Sequence, residues 1–178
     1  MAIPKASKKL YGFSKSERLC NFTLKRTLFN QGETFFHYPF KIFWKVIDPN
    51  LENLFFKKSV TTFSTATPEK TLYPQNPSYP HKKVPRNALF SHPAQCLVGV
   101  SAKTHKSAVM RIHLKRLIRE SYRQNKAPFY SFLRNNNQLC LLAIIYTSGE
   151  ALEYRDIESK IIVSLQKIQK KITEQELR

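Results

Sequence analysis

The segment Ala108-Val109-Met110-Arg111-Ile112-His113-Leu114-Lys115-Arg116-Leu117-Ile118-Arg119-Glu120-Ser121-Tyr122-Arg123 constrains this chain more than any other stretch. At about 100° per residue it reads as one helix with two chemically opposite sides. Met110, Leu114, Leu117, Ile118 and Ser121 fall on one side; Arg111, Lys115, Arg116, Arg119 and Arg123 fall on the other, with Glu120 nearby. The first side must be buried against another layer, so the helix cannot stand alone. The second is a row of cations at one-turn spacing. A solvated face ordinarily mixes its signs, whereas five cations against one acid suit a polyanion, and nucleic acid is the polyanion expected.

The whole chain carries the same bias. Thirty Lys and Arg against twelve Asp and Glu give a net charge of +18 over 178 residues. Such an excess attracts phosphate-rich partners, and binding should weaken steeply with salt as counterions are released. The length suits one domain with insertions. No apolar run approaches the ~18 residues of a membrane span, and the basic N-terminus lacks the apolar core of a secretory signal. A cytoplasmic location without a membrane partner is expected. Cys20, Cys96 and Cys140 are odd in number and form no C-x-x-C pair, so reduced, buried thiols are expected rather than a zinc site.

Along the chain, residues 1–15 form a basic arm. A helix is expected from Ser16, with Glu17 favouring its dipole, to a stop at Gly32. Cys20, Leu24 and Leu28 make one apolar stripe, and Arg18, Phe22, Lys25 and Phe29 another. Two readings of the second stripe stand: aromatics in the core with snorkelling cations, or a stacking surface for unpaired bases with the cations on phosphates. Phe35 to Ile47 alternates as a strand, with Phe36, Tyr38, Phe40, Ile42, Trp44 and Val46 on its apolar face. Phe43 sits between Lys41 and Lys45 on the other face, and Pro39 argues for an edge or a bulge. Residues 48–94 hold seven of the ten prolines and no glycine. They read as a largely disordered Pro/Ser/Thr-rich insertion, with a short hairpin around Leu54 to Phe63.

Strand character resumes from Gln95 to Ala102, and Lys103-Thr104-His105-Lys106 forms a basic turn into the central helix. Leu139 to Tyr146 is a continuous apolar run, fitting a strand covered on both faces. Glu150, Glu153, Asp156 and Glu158 load the start of a last helix, whose buried stripe is Ile161, Leu165, Ile168 and Ile172. The order of helix, strand or strands, helix, strand and helix predicts an α+β sandwich around one small mixed sheet of about four strands. Gly12, Gly32, Gly99 and Gly149 are isolated, so no phosphate-cradling loop exists. His37, His81, His92, His105 and His113 lack metal-ligand spacing, with His105 and His113 expected at the surface or on RNA. The acids cluster at a helix start and in the tail, not as an inward-facing pair. A binder is predicted, whose chemistry belongs to something else.

The run from Val100 through Arg123, closing in Lys115-Arg116-Leu117-Ile118-Arg119-Glu120-Ser121-Tyr122-Arg123-Gln124-Asn125-Lys126, resembles the signature of the bacterial ribonuclease P protein component. So do Glu17-Arg18-Leu19-Cys20, Leu28-Phe29, Gly32 and Tyr38-Pro39-Phe40-Lys41, and the strand Leu141 to Tyr146 followed by an amphipathic helix. The resemblance covers residues 16–47 and 95–172, leaving 48–94 as the insertion and 173–178 as a tail. It implies an α-β sandwich with a left-handed βαβ crossover. It also implies a 1:1 complex with a large catalytic RNA, an endoribonuclease that removes the 5′ leader of precursor tRNA. The RNA would position Mg2+ and activate water, and the protein would hold no metal and no catalytic residue. By position, Arg111, Lys115, Arg116, Arg119 and Arg123, with Lys103 and Lys106 in the turn, would contact the catalytic RNA. Phe29 and Phe43 would line a cleft for the single-stranded leader, with Arg18, Phe22, Lys25, Lys41 and Lys45 around them.

This sequence departs from the family pattern at Ile112 and His113, where Asn and often Arg follow the first arginine. Ile112 donates no hydrogen bond, so contact with RNA should weaken there unless it packs on a sugar or base. Lys25 stands where an apolar or aromatic residue is common, with Phe22 one turn earlier on the same side. Ala102 and Ser107 stand where related sequences often carry a basic residue. The competing function is a general basic RNA-binding protein, a ribosomal or assembly factor with no part in cleavage.

Overall fold

The apolar run expected to be covered on both faces is an inner strand of the sheet. The computed structural model describes residues 12–47 and 88–176. A short 3-10 turn at Lys15–Glu17 precedes α1 (Phe22–Gln31), β1 (Glu33–His37), β2 (Phe40–Ile47) and β3 (Ala94–Val100). Then follow α2 (Ala108–Asn125), α3 (Ala127–Asn135), β4 (Leu139–Tyr146) and α4 (Tyr154–Glu176). The sheet order is β1-β2-β4-β3, with β1–β2 and β2–β4 antiparallel and β3–β4 parallel. A parallel neighbour needs a crossover, and α2 with α3 supplies it. The predicted α+β sandwich around a four-stranded mixed sheet is the observed fold.

Alternation sends the two sides of every strand into different cores. Phe40, Ile42 and Trp44 of β2, Cys96 and Val100 of β3, and Cys140, Leu142, Ile144 and Tyr146 of β4 meet the helices α2, α3 and α4. Leu114, Ile118 and Tyr122 of α2 and Ile157, Ile161, Leu165, Ile168 and Ile172 of α4 fill that side. On the other side Leu24 and Leu28 of α1, with Leu19, cover Ile47, Leu141 and Ala143. Leu141 and Ala143 are as buried as Cys140, Leu142, Ile144 and Tyr146 on the opposite face of the same strand, which is why the run shows no polar alternation.

Several boundaries differ from expectation for physical reasons. Glu17 does not start α1: its carboxylate accepts from the Ser14 amide at 2.6 Å and closes only the 3-10 turn. The helix is capped by Asn21, whose Oδ1 accepts from Leu24 N at 3.2 Å. Cys20 therefore precedes the helix and is exposed, whereas Cys96 and Cys140 are buried, with burial pushing both thiol pKa values up. Gly32 does end α1, through lack of space: a Cβ there would stand 2.3 Å from Leu28 O and 3.0 Å from Trp44 O. The expected tail from residue 173 is helix as far as Glu176. Helix α3 was not anticipated; Pro128 in its first turn and buried Phe129, Tyr130 and Leu133 are its signature. On α2, Met110 is exposed and Leu117 half-buried, so the core stripe runs through Leu114, Ile118, Ser121 and Tyr122.

The strand expected from Phe35 to Ile47 is a hairpin. The chain reverses at Tyr38–Pro39, joined by a cis peptide bond, and His37 pairs with Phe40. A two-residue turn swaps parity, so odd positions before it share a face with even positions after it. Phe35 thus lies with Ile42 on the helical side, and Phe36 lies with Lys41 on the side of α1. Phe36 is 63% exposed and Tyr38 is also exposed, although both were expected in the apolar face. Pro39 occupies the turn itself, neither a bulge nor a ladder position. The hairpin expected near Leu54 to Phe63 and most of the 48–94 segment lie outside the described residues. Ala88 is fully buried against the α1 side, so the packed fold resumes before Gln95.

Candidate nucleic-acid interface

The N-terminal segment wraps the outer edge of β3 and fixes how α2 meets the sheet. Leu19 N donates to Cys96 O at 3.1 Å, and Arg18 bridges Cys96 in parallel. Glu17, buried beneath, pairs with Lys126 at the α2–α3 junction, and Tyr130 donates to Glu17 at 2.9 Å. Lys126 also donates to Gly12 O. Burial by itself would raise the Glu17 pKa, but Lys126, the Ser14 amide and the Tyr130 hydroxyl outweigh it and lower the value. Phe13 meets Tyr122 edge-on at 5.8 Å, and Arg18 lies over Phe13 at 5.6 Å. Sequence reasoning missed this network because Lys126 looks like one more surface cation.

Helix α2 is pinned by its apolar stripe, so its opposite side is held outward. Ser107 caps it, accepting from Met110 N at 3.4 Å. Arg116 and Arg119 are exposed and Lys115 half-buried, and among the described residues none of the three forms an ion pair. Two of the expected contacts are otherwise engaged. Arg111 donates from Nη1 to His105 O at 2.8 Å and Lys106 O at 2.6 Å, bracing the basic turn. Arg123 grips Glu120 at 2.5 and 2.8 Å. That grip, with Gln124, holds the Glu120 pKa down at about 2. Ile112 is 53% exposed among the cations, beside Val109 at 78%. His105, expected at the surface or on RNA, is buried, and its Nε2 donates to Ser148 O at 2.9 Å. Lys103 and Lys106 remain exposed on the turn that His105 and Arg111 hold in place.

The second cluster lies where α1 stops covering the sheet. Phe29 of α1 and Phe43 of β2 meet edge-on, ring centroids 5.0 Å apart, and Lys41 Nζ stands 5.2 Å from the Phe43 ring. Phe22, Lys25 and Phe29 share one flank of α1 at i, i+3 and i+7, with Phe22 77% exposed at its first turn. Lys45 Nζ reaches Gln31 O at 3.4 Å along the same groove. The structure therefore joins Phe29, Lys41, Phe43 and Lys45, with Lys25 and Phe22 on the adjoining helix flank. Arg18 stands apart, on the edge of β3. Of the two readings of Phe22 and Phe29, the core reading fails for Phe22, which is exposed, while Phe29 is partly open and packs its ring on half-buried Phe43. Among the described residues no three His, Cys, Asp or Glu side chains come together as a metal-holding group.

The family model described as Ribonuclease P matches residues 13–169. The Ribonuclease P protein component of Porphyromonas gingivalis strain ATCC 33277 is 25% identical over 158 residues, covering 89% of this chain and 87% of the relative. The protein of strain W83 matches to the same extent. The solved structure of the Staphylococcus aureus RNase P protein shares 13% identity at a TM-score of 0.49, covering 85% of this chain and 94% of that one. A match running from the segment that wraps β3 into the last helix takes in both cationic α2 and the aromatic groove. The chain belongs to the ribonuclease P protein family.

Proposed function

We propose that this chain is the protein subunit of ribonuclease P in tRNA processing, binding one catalytic RNA and the 5′ leader of precursor tRNA in the cytoplasm. The observation that carries the reading is the family match across residues 13–169. The geometry supports that reading. Lys115, Arg116 and Arg119, with Lys103 and Lys106, form a ridge rigid enough to meet the phosphates of a folded RNA. Phe29 and Phe43 offer ring faces to unpaired bases, while Lys41 and Lys45 neutralise the strand's phosphates.

Hydrolysis would belong to the RNA subunit, and Mg2+ held there would supply the activation of water. The protein's share is binding energy and position. A leader held in the groove keeps the scissile bond at the RNA-borne site, and cations on the ridge offset repulsion between two polyanions. The test is reconstitution. Purified protein added to its own catalytic RNA should promote precursor-tRNA cleavage at low magnesium and favour leader-bearing substrate over mature tRNA. Cleavage unchanged by the protein, or cleavage by the protein alone, overturns the reading.

A further inference from the structure

On the helical side of the sheet, the edge strand β1 meets one flank of α4 along a seam. The contacts run in order: His37 bonds Ser164, Phe35 has Lys171 Nζ 5.9 Å from its ring centroid, and Glu33 accepts from Gln175. Positions 160, 164, 167 and 171 of α4 recur at i, i+4, i+7 and i+11, so they form one stripe beside this strand. The core stripe through Ile161, Leu165 and Ile168 lies about a quarter-turn away. Ile162 and Gln166, on the far flank, border Gln124 and Pro128 instead. The seam therefore looks away from the cationic ridge of α2.

Three of the four stripe positions are lysines. Among the described residues Lys160, Lys167 and Lys171 form no ion pair, whereas neighbouring Lys170 pairs with Glu174. Asp156 stands one turn before Lys160 without pairing with it, and Glu33, at the other end, is engaged by Gln175. From β2, Phe40 stands opposite His37, and Lys41 belongs to the other face of the sheet. The charge at the centre of the seam is thus positive and uncompensated.

These cations converge on a histidine whose tautomer is fixed. Buried Ser164 donates its hydroxyl proton to Lys160 O at 2.7 Å, so its Oγ accepts from His37 Nδ1 at 2.9 Å. Nδ1 carries the proton of the neutral ring, and Nε2 is the nitrogen that takes up a second one. Burial first, then the charges of Lys167 and Lys160, hold the His37 pKa below its ordinary value of 6.5. An anion drawn in by the two ammonium groups reverses that field and favours the imidazolium, which adds a third cation to the site.

We infer that His37, Lys160 and Lys167, with Lys171 farther along, form a second site for the phosphodiester backbone of RNA, and that filling it takes up a proton on His37. The inference rests on the subunit reading above and goes beyond it, since the protein would grip RNA from both flanks of its helical layer. Lys160 and Lys167 are roughly 10 Å apart along the helix axis, and their flexible stems can reach different phosphates of one strand. No stripe residue is apolar, so an anionic lipid surface, which needs an apolar face to bury, fits less well.

The test offers the full chain three probes separately: catalytic RNA, mature tRNA and phosphatidylglycerol vesicles. Lys160→Ala with Lys167→Ala should lower the log–log salt slope by about 1.5 on the RNA that fills the seam. Lys160→Arg with Lys167→Arg should restore it. Between about pH 8 and about pH 5.5 the wild-type protein should gain roughly tenfold more affinity for that RNA than His37→Gln does. The glutamine still donates to Ser164, so a purely structural role for His37 would leave no such difference. By NMR, the His37 pKa should rise when that RNA is added. A loss confined to catalytic RNA makes it the occupant; a loss on mature tRNA gives that place to the substrate's body. Unchanged salt slopes on both RNAs, a His37 pKa that does not rise, or a loss on vesicles alone overturns the site. If instead the wild-type protein shows no salt-dependent binding to catalytic RNA, the subunit reading itself fails.

Discussion

The two faces of the sheet are built from the same strands and finished differently. On one, three helices close over Phe40, Ile42, Trp44 and Tyr146, and the buried residues there leave no ring face accessible. On the other, a single ten-residue helix covers part of the surface and leaves Phe29, Phe36, Lys41 and Phe43 reachable. The closed face carries the stability of the fold and the open face keeps apolar and cationic groups available for a ligand. The proposed stacking of bases on these rings needs this asymmetry, because fully buried rings leave no face for a base. Phe43 is the compromise: its edge is held by Phe29 and its neighbourhood stays open.

The sharpest way to break the closed side is at its buried charge pair. Glu17→Gln strands Lys126 without its counter-charge and should cost about 3–5 kcal/mol by denaturant unfolding. Replacing both by apolar residues should cost much less than the two single losses combined, and simple additivity would refute the coupling. The same pair sets an acid limit. Because the folded Glu17 pKa is lowered, its contribution is complete above the ordinary carboxylate value near 4.5 and is lost as pH falls through the depressed folded value. In Glu17→Gln this part of the acid dependence should vanish.

A second substitution compares the faces directly. Ile118→Ala, in the closed core, should cost about 2–5 kcal/mol of stability and leave the preference for leader-bearing substrate unchanged at temperatures where the protein stays folded. Phe43→Ala should do the reverse. It should weaken binding by roughly 1–3 kcal/mol on leader-bearing substrate and little on mature tRNA; equal losses on both ligands would remove the groove from the account. The smallest effect separates cations on one helix. Lys115→Ala with Arg119→Ala should lower the log–log salt slope of RNA binding by about two. Arg111→Ala with Arg123→Ala should lower it less, because those guanidinium groups hold the turn carbonyls and Glu120. Equal slopes for the two pairs would mean that both let go of their internal partners when RNA binds.

Sequence alone determined what periodicity and composition encode locally. The cationic helix, the apolar strand Leu139–Tyr146, the stripe of the last helix and the order of elements follow from side-chain spacing along one segment. So does the placing of Phe43 between two lysines. Partnership over long distances was decided only in three dimensions. The hairpin at Tyr38–Pro39 was invisible because aromatic residues flank it at both parities, so Phe36 could not be told from core until strand pairing reversed its face. Lys126 reads as a surface cation and His105 as a surface or RNA-contacting residue because nothing nearby announces Glu17 or the Ser148 carbonyl, 109 and 43 residues away. Arg111 and Arg123 share the periodicity of their neighbours but not their freedom: Arg111 meets the carbonyls of the turn before the helix, and Arg123 meets Glu120 one turn away on the same helix. Local patterns report which side of an element is apolar; which element comes to cover it, and how completely, depends on the whole chain.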